Sequence, residues 1–123
     1  MLLQNFYTII ANDSFDLSSF VTTVEIHQEH AIFKGHFPNF PVTPGVGLLQ
    51  IIKELTENHL HYPLFMESAS RVKFLALVDP HKNPRLKFDI TMSEEFNKIK
   101  VKNTTSFIDG TVVLKCNVNF VKR

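Results

Sequence analysis

The residues with the clearest chemical potential lie between positions 35 and 50, where the sequence reads Gly-His-Phe-Pro-Asn-Phe-Pro-Val-Thr-Pro-Gly-Val-Gly-Leu-Leu-Gln. Pro38, Pro41 and Pro44 each restrict the backbone angle φ, so the loop that carries His36 is held in few conformations. The unperturbed pKa of an imidazole is about 6.5, so the ring is largely neutral in neutral solution and suits a general base. The pattern predicts that His36 removes a proton next to an activated carbonyl. The alternative is a structural histidine that is hydrogen-bonded within its loop.

This loop leads into a helical pattern that runs from Gly45 to about Leu60. Apolar residues recur there at i, i+3, i+4 and i+7, which places them on one face of an α-helix. They are Leu48, Ile51, Ile52 and Leu55. Backbone amides at a helix N-terminus stabilise negative charge, so the amides of Gly45 and Val46 are candidates to polarise a carbonyl. An ordinary helix entry after Pro44 explains the same residues, and the two roles are compatible.

The remaining sequence favours strands, because β-branched and aromatic residues recur in short, partly alternating runs. These runs cover residues 6–11, 20–27, 69–78, 84–91, 96–107 and 111–121. The first run is expected to end at Asn12-Asp13-Ser14, and Asp109-Gly110 predicts a type I′ hairpin turn. A helix with one apolar face must cover that face, and a sheet is the cover that this sequence offers. The pattern therefore predicts an α+β fold, with one domain over residues 1–123.

Composition excludes several classes of protein. With 44% hydrophobic residues and a formal net charge of +1, the chain is globular and gives no argument for binding nucleic acid or membranes. Cys116 is the single cysteine, which rules out an internal disulfide and predicts a buried thiol. The chain shows neither a signal peptide nor a long apolar segment, so a cytoplasmic location is expected. The spacing of His27, His30 and His36 does not fit one helical or strand face, and no metal site is predicted.

The loop also resembles a known family. His36-Phe37-Pro38, Pro41-Val42 and Pro44-Gly45-Val46 are similar to the signature of the bacterial 3-hydroxyacyl-(acyl carrier protein) dehydratases, which have the hotdog fold. The spacing from His36 to position 50 equals the family's spacing from catalytic base to catalytic acid. Residues 70–74 and 109–113 resemble a strand and a hairpin of the family less specifically. The resemblance implies a curved antiparallel β-sheet wrapped around one long central helix.

The resemblance also implies roles for individual residues. His36 would take the proton from C2 of a 3-hydroxyacyl thioester, and the Gly45 N–H, with Val46 next to it, would bind the thioester carbonyl. The backbone carbonyl of Val42 would orient the His36 ring, although the Val42 side chain is expected only to pack. No cofactor or metal ion is needed for this reaction. At position 50, where the family has Glu or Asp, this chain has Gln50, and a carboxamide has no proton to give at neutral pH.

Glu54 offers a replacement for the missing acid. The family commonly has Glu at the acid position and Gln four residues later, whereas this chain has Gln50 and then Glu54. Residues i and i+4 share a helix face, and one helical turn is about 5.4 Å, so the Glu54 carboxyl is expected to reach substrate directly or through a water held by Gln50. The alternative is a solvated charge or an ion pair with Lys53 or a lysine of the sheet. Glu57 continues the polar stripe and is expected at the surface.

Partners follow from the resemblance as well. An acyl carrier protein is acidic and presents its substrate on a phosphopantetheine arm, and a basic rim of Arg71, Lys73, Lys82 and Arg85 would steer it. Scattered surface charge explains these residues equally well. In the family each site combines residues from two subunits, so a homodimer or heterodimer is expected, with His36 facing position 50 of the partner.

Three functions fit these features. The first is a dehydratase acting on a fatty-acid-like or polyene intermediate. The second is a degenerate subunit that binds acyl chains or completes a partner's site. The third is a hotdog thioesterase, which commonly needs a carboxylate on the helix.

Overall fold

The computed structural model describes residues 5–30 and 43–123, so His36 and Val42 of the predicted loop lie outside the described residues. Within those ranges the chain forms six strands and one helix. They are β1 (Tyr7–Asp16), β2 (Ser19–Ile26), α1 (Gly45–Leu60), β3 (Leu64–Phe74), β4 (Arg85–Glu95), β5 (Lys98–Phe107) and β6 (Val112–Lys122).

All six strands join in one antiparallel sheet with the order β1-β2-β4-β5-β6-β3. Strands β1 and β3 are the two edges. Neighbours in the chain are neighbours in the sheet except at β3, which follows the helix and adds to the far edge beside β6. One helix against an antiparallel sheet confirms the α+β class.

Burial separates the two faces of the sheet. Along β2, β4 and β5, buried and more exposed residues alternate, as expected for a sheet with one covered face. The covered face carries apolar side chains that form one core with the helix. From the strands this core includes Phe20, Val24, Leu86, Phe88, Ile90, Ile99, Val118 and Phe120. The outer face carries polar and charged side chains.

The helix has the predicted bounds and the predicted buried face. Leu48, Ile51, Ile52 and Leu55 are all at most 3% exposed. The helix begins after Pro44, whose backbone is extended, and ends at His61, whose φ of 64° lies in the left-handed region. Its 16 residues make it about 24 Å long, which is an ordinary length rather than the long helix expected.

The predicted bounds of three strands were wrong, and one of them, β4, continues to Glu95 beyond the predicted residue 91. Strand β3 runs from Leu64 to Phe74 rather than over residues 69–78, so it starts almost directly after the helix. Leu64 is fully buried and anchors this start, which a search for alternation alone does not detect. Strand β1 continues through Asn12-Asp13-Ser14 to Asp16, because an edge strand with exposed side chains tolerates polar residues.

The hairpin at Asp109-Gly110 is confirmed in position but not in turn type. Strands β5 and β6 pair on either side of it. A type I′ turn needs positive φ at both central residues, whereas in this loop only Gly110 has a positive φ, of 96°. The Gly110 N–H donates to the Phe107 carbonyl at 3.0 Å, and the Thr111 N–H donates to the Asp109 carboxylate at 2.9 Å.

Replacing a fully buried helix residue tests the packing of α1. We expect Ile52→Ala to lower the free energy of unfolding by about 2–5 kcal/mol, because it removes apolar contacts and leaves a cavity. Asn58→Ala, at an exposed position of the same helix, should change it by less than about 0.5 kcal/mol. Urea denaturation followed by circular dichroism measures both. Equal effects of the two substitutions would mean that the helix does not bury this face.

Candidate functional site

The start of the helix has no side-chain cap, and one aromatic ring packs against it. Pro44, at the N-cap, makes no side-chain capping hydrogen bond, and its carbonyl accepts the Gly47 N–H at 2.9 Å. Val46 is exposed. A Cβ atom built on Gly45 would lie 2.6 Å from Cζ of Phe74, so the Phe74 ring rests on the glycine and would have to move to admit a larger residue. Phe74 is itself 52% exposed, so this cover lies at the surface.

One turn into the helix, Gln50 and Glu54 share a face, as their i, i+4 spacing predicted, and their side chains are also hydrogen-bonded to each other. Nε2 of Gln50 donates to Oε2 of Glu54 at 2.8 Å. Both side chains are partly buried. The structure therefore brings together Gln50, at the position of the family's acid, and Glu54, the residue expected to replace that acid.

A third residue, which the sequence did not suggest, completes this polar cluster. The hydroxyl of Tyr7, from edge strand β1, donates to Oε1 of Glu54 at 2.7 Å. Burial and the adjacent Glu54 charge raise the pKa of Tyr7 well above its ordinary value, so its hydroxyl stays protonated as a donor. No local signal could have found Tyr7, because 47 residues separate it from Glu54.

Glu57 does not lie free at the surface, contrary to expectation. Its carboxylate accepts the Leu64 N–H at 2.7 Å and pairs with Lys53 at 3.5 Å. Lys53 therefore forms its ion pair with Glu57 and not with Glu54. The Leu64 contact ties the last turns of the helix to the start of β3.

The predicted basic residues divide into two places. Arg71 and Lys73 of β3 line a groove of about 470 Å³ on the outer face of the sheet, together with Lys102 and Lys115. Lys73 lies directly opposite Lys115 in the β3–β6 register. Over residues 5–30 and 43–123, none of these four cations forms an ion pair. We call them the basic cluster.

The other two predicted cations lie elsewhere. Lys82 and Arg85 line a different groove with Ile108 and Asp109. Arg85 is engaged with Glu25 at 3.4 Å. A single basic rim of Arg71, Lys73, Lys82 and Arg85 is therefore not what the structure shows.

Other site types find little support in the described part of the chain. No group of three or more His, Cys, Asp or Glu side chains there could hold a metal ion. No described helix is long and apolar enough to cross a membrane. Cys116 is buried as predicted, and burial raises the pKa of its thiol.

The chain is similar in sequence to known dehydratases. The chain is 25% identical over 130 residues to 3-hydroxyacyl-[acyl-carrier-protein] dehydratase FabZ of Lactococcus lactis, covering 98% of this chain and 85% of the relative. It is 29% identical over 103 residues to the FabZ of Vibrio cholerae, covering 74% of this chain and 64% of that protein.

Comparison with solved structures gives the fold. The chain is similar to the dehydratase heterocomplex ApeI:P from Xenorhabdus doucetiae, with a TM-score of 0.77 and 18% identity over 93% of this chain and 96% of that one. A hypothetical thioesterase with coenzyme A from Streptococcus pneumoniae has a TM-score of 0.69 and 11% identity over 95% and 85% of the two chains. Identities this low show a shared fold and no more.

The model of the ApeI-like family, described as ApeI dehydratase, matches residues 12–111. Because this match spans most of the chain and agrees with both the FabZ relatives and the antiparallel sheet with one helix, the chain belongs to the ApeI-like dehydratases of the hotdog fold.

Proposed function

We propose that this protein removes water from a 3-hydroxyacyl thioester carried by an acyl carrier protein. The observation that carries the proposal is the uncapped helix start at Gly45 in a chain of a dehydratase family, with Gln50 and Glu54 on the following turns. The FabZ relatives act on acyl carrier protein substrates by name, which supports the same class of substrate here.

In the proposed reaction His36 removes the proton from C2 of the substrate. The electron pair of that C–H bond forms the double bond between C2 and C3, and the bond between C3 and oxygen breaks. The thioester oxygen gains negative charge on the way, and the amides of Gly45 and Val46 stabilise that charge. Val42 orients the His36 ring through its backbone carbonyl. The hydroxyl leaves as water once it has received a proton.

Gln50 is proposed to hold the departing hydroxyl, and Glu54 to hold Gln50. Glu54 accepts a hydrogen bond on each carboxylate oxygen, which is the role of a carboxylate rather than of a proton donor. Where the partner is a related subunit that has the family's acid, the carboxyl of that partner gives the proton to the leaving hydroxyl. In the alternative, Glu54 supplies it through a water held by Gln50. Hydrogen bonds in a substrate-free site can rearrange on binding, so an experiment must separate the two sources.

A second subunit is part of the proposal. Apolar side chains are exposed on edge strand β3, in the segment that follows it and at the helix start. They are Phe65 of β3, Leu75 and Leu77 after it, and Val46 of the helix. An edge strand with such side chains is a natural surface for pairing with another chain. The similarity to the ApeI:P heterocomplex supports a related hotdog subunit as partner, and a second copy of this chain is the other candidate.

Two other functions remain as alternatives. A degenerate subunit would bind acyl chains or lend His36 to a partner that has the acid. A thioesterase is supported by the fold of several similar structures, but position 50 lacks the carboxylate that commonly activates water in that chemistry. The His36-Phe37-Pro38 loop favours dehydration.

Removal of the proposed base is the first test. We expect the chain, purified with any partner that native mass measurement reveals, to dehydrate a 3-hydroxyacyl thioester. His36→Ala should lower kcat by about 10²–10⁴-fold, because general base catalysis contributes about that much. His81→Ala, at an exposed position, should leave kcat unchanged. Thioester cleavage without an enoyl product would instead indicate a thioesterase.

Exchange of the two helix side chains identifies the acid. If Gln50 only binds the hydroxyl, Gln50→Glu should raise kcat by about 10²-fold, because it supplies a proton donor at the family's position. Glu54→Gln should then lower kcat only modestly. The double variant Gln50→Glu/Glu54→Gln, which has the order of the family, is the matched control. Complete loss in Glu54→Gln, with no gain in Gln50→Glu, would show that Glu54 is the acid.

The basic cluster is the proposed docking surface for the acidic carrier protein. Two lysines directly opposite each other destabilise a sheet, and within the described residues neither Lys73 nor Lys115 forms an ion pair that offsets the repulsion. Lys73 is also next in sequence to Phe74, which rests on Gly45. A carrier protein bound at the basic cluster would therefore be separated from the helix start only by the edge strand β3.

Removing two charges tests this surface. We expect Lys73→Gln/Lys115→Gln to raise KM about tenfold for the carrier-linked substrate, and salt should raise the wild-type KM in the same way. KM for the same acyl group on N-acetylcysteamine should not change. Lys87→Gln, an exposed lysine of β4, is the control. Equal KM values for the carrier-linked substrate in all variants would place docking elsewhere.

A further inference from the structure

Tyr7 lies on β1, at the edge of the sheet opposite β3, and its hydroxyl reaches the helix. Its strand, β1, is held to β2 by antiparallel pairing in which Tyr7 faces Ile26. Next to it, the Phe6 side chain is buried and its carbonyl accepts the His27 N–H at 2.8 Å. The Tyr7 hydroxyl is therefore presented to Glu54 from a well-anchored backbone.

Glu54 determines which way the Gln50 amide faces. The oxygen and nitrogen of a glutamine amide exchange places by rotation about the last side-chain bond. A carboxylate only accepts hydrogen bonds, so contact with Glu54 selects the orientation in which Nε2 faces the carboxylate. Oε1 is then left as an acceptor, and no other described residue is hydrogen-bonded to Gln50.

Without Tyr7, this orientation would rest on two flexible side chains that bind only each other. A glutamate and a glutamine on adjacent turns of an isolated helix gain only a few tenths of a kcal/mol from such contact. The Tyr7 hydroxyl occupies the second Glu54 oxygen and links the pair to the sheet. The raised pKa of Tyr7 keeps this donor present throughout the neutral range.

We propose that Tyr7 is a positioning residue of the dehydratase site, which acts through Glu54 to fix the Gln50 amide with Oε1 free to accept a hydrogen bond from the 3-hydroxyl group of the substrate. This inference rests on the proposed function. It extends that proposal by naming the group of the substrate that Gln50 recognises. It also adds a residue of β1 to the two helix residues Gln50 and Glu54.

Tyr7→Phe removes the hydroxyl and keeps the ring, and Tyr62→Phe is a matched control. Tyr62 also donates to a glutamate, Glu94, at 2.6 Å, but that pair is exposed and lies away from Gln50. We expect Tyr7→Phe to lower kcat about tenfold, which is the loss of one well-placed hydrogen bond. Tyr62→Phe should leave kcat within twofold of the wild type.

A double-substitution cycle separates positioning from general stability. In a Gln50→Ala background there is no amide left to orient, so adding Tyr7→Phe should change kcat by less than twofold. The same tenfold loss in both backgrounds would overturn the proposal, because Tyr7 would then act independently of Gln50. No loss in either background would overturn it as well.

The orientation itself can be observed without turnover. In a ¹H–¹⁵N NMR spectrum the side-chain amide of Gln50, assigned by its absence in Gln50→Ala, should show two well-separated protons. Tyr7→Phe should move both towards the positions of a free glutamine, and Tyr62→Phe should not. An unchanged amide in Tyr7→Phe overturns the link between Tyr7 and Gln50. If the Gln50 amide shifts in Tyr7→Phe as expected but the wild-type protein shows no dehydratase turnover, the link between Tyr7 and Gln50 stands. The proposed function, on which the catalytic role depends, is then overturned.

Discussion

Burial of one apolar helix face against the sheet is the constraint on which the rest of this molecule depends. Leu48, Ile51 and Ile52 are almost completely buried, which fixes the rotation of α1 about its axis. Once that rotation is fixed, the helical period sends Gln50 and Glu54 to the side away from the core. Their side chains are nevertheless partly buried. The polar cluster is thus a consequence of core packing.

Strand β3 links the two surfaces that the proposed function requires. Successive side chains of a strand point to opposite faces, so Phe74 turns towards the helix start while Lys73 turns to the outer face. Arg71, with a φ of 51°, lies where the register of β3 with β6 shifts, and a bulge of this kind re-aims side chains. Movement of this edge would therefore affect both the basic cluster and the cover over Gly45.

Sequence reasoning succeeded where the signal is local. The bounds and buried face of α1 follow from a period that can be read directly, and the shared helix face of Gln50 and Glu54 follows from their i, i+4 spacing. It failed where the information is distant or unusual. Nothing near Tyr7 indicates Glu54, and the β4–β5 hairpin turns at Phe96 with a φ of 57°, a conformation that an aromatic residue rarely adopts. The hotdog arrangement itself came from the resemblance, because periodicity does not give strand order.

The contact between positions 50 and 54 also explains why their side chains cannot be considered separately. With Glu54 hydrogen-bonded to residue 50, a carboxyl at position 50 would meet a second carboxyl at hydrogen-bonding distance. Two carboxylates that close cannot both ionise easily, so the pair would share a proton and one pKa would rise. A glutamine at either position removes the repulsion. The order Glu then Gln places the acid near the helix start, whereas the order in this chain places an amide there and a carboxylate behind it. Tyr7 supplies a donor to that carboxylate. Tyr7, Glu54 and Gln50 therefore form one hydrogen-bonded set with an amide at position 50.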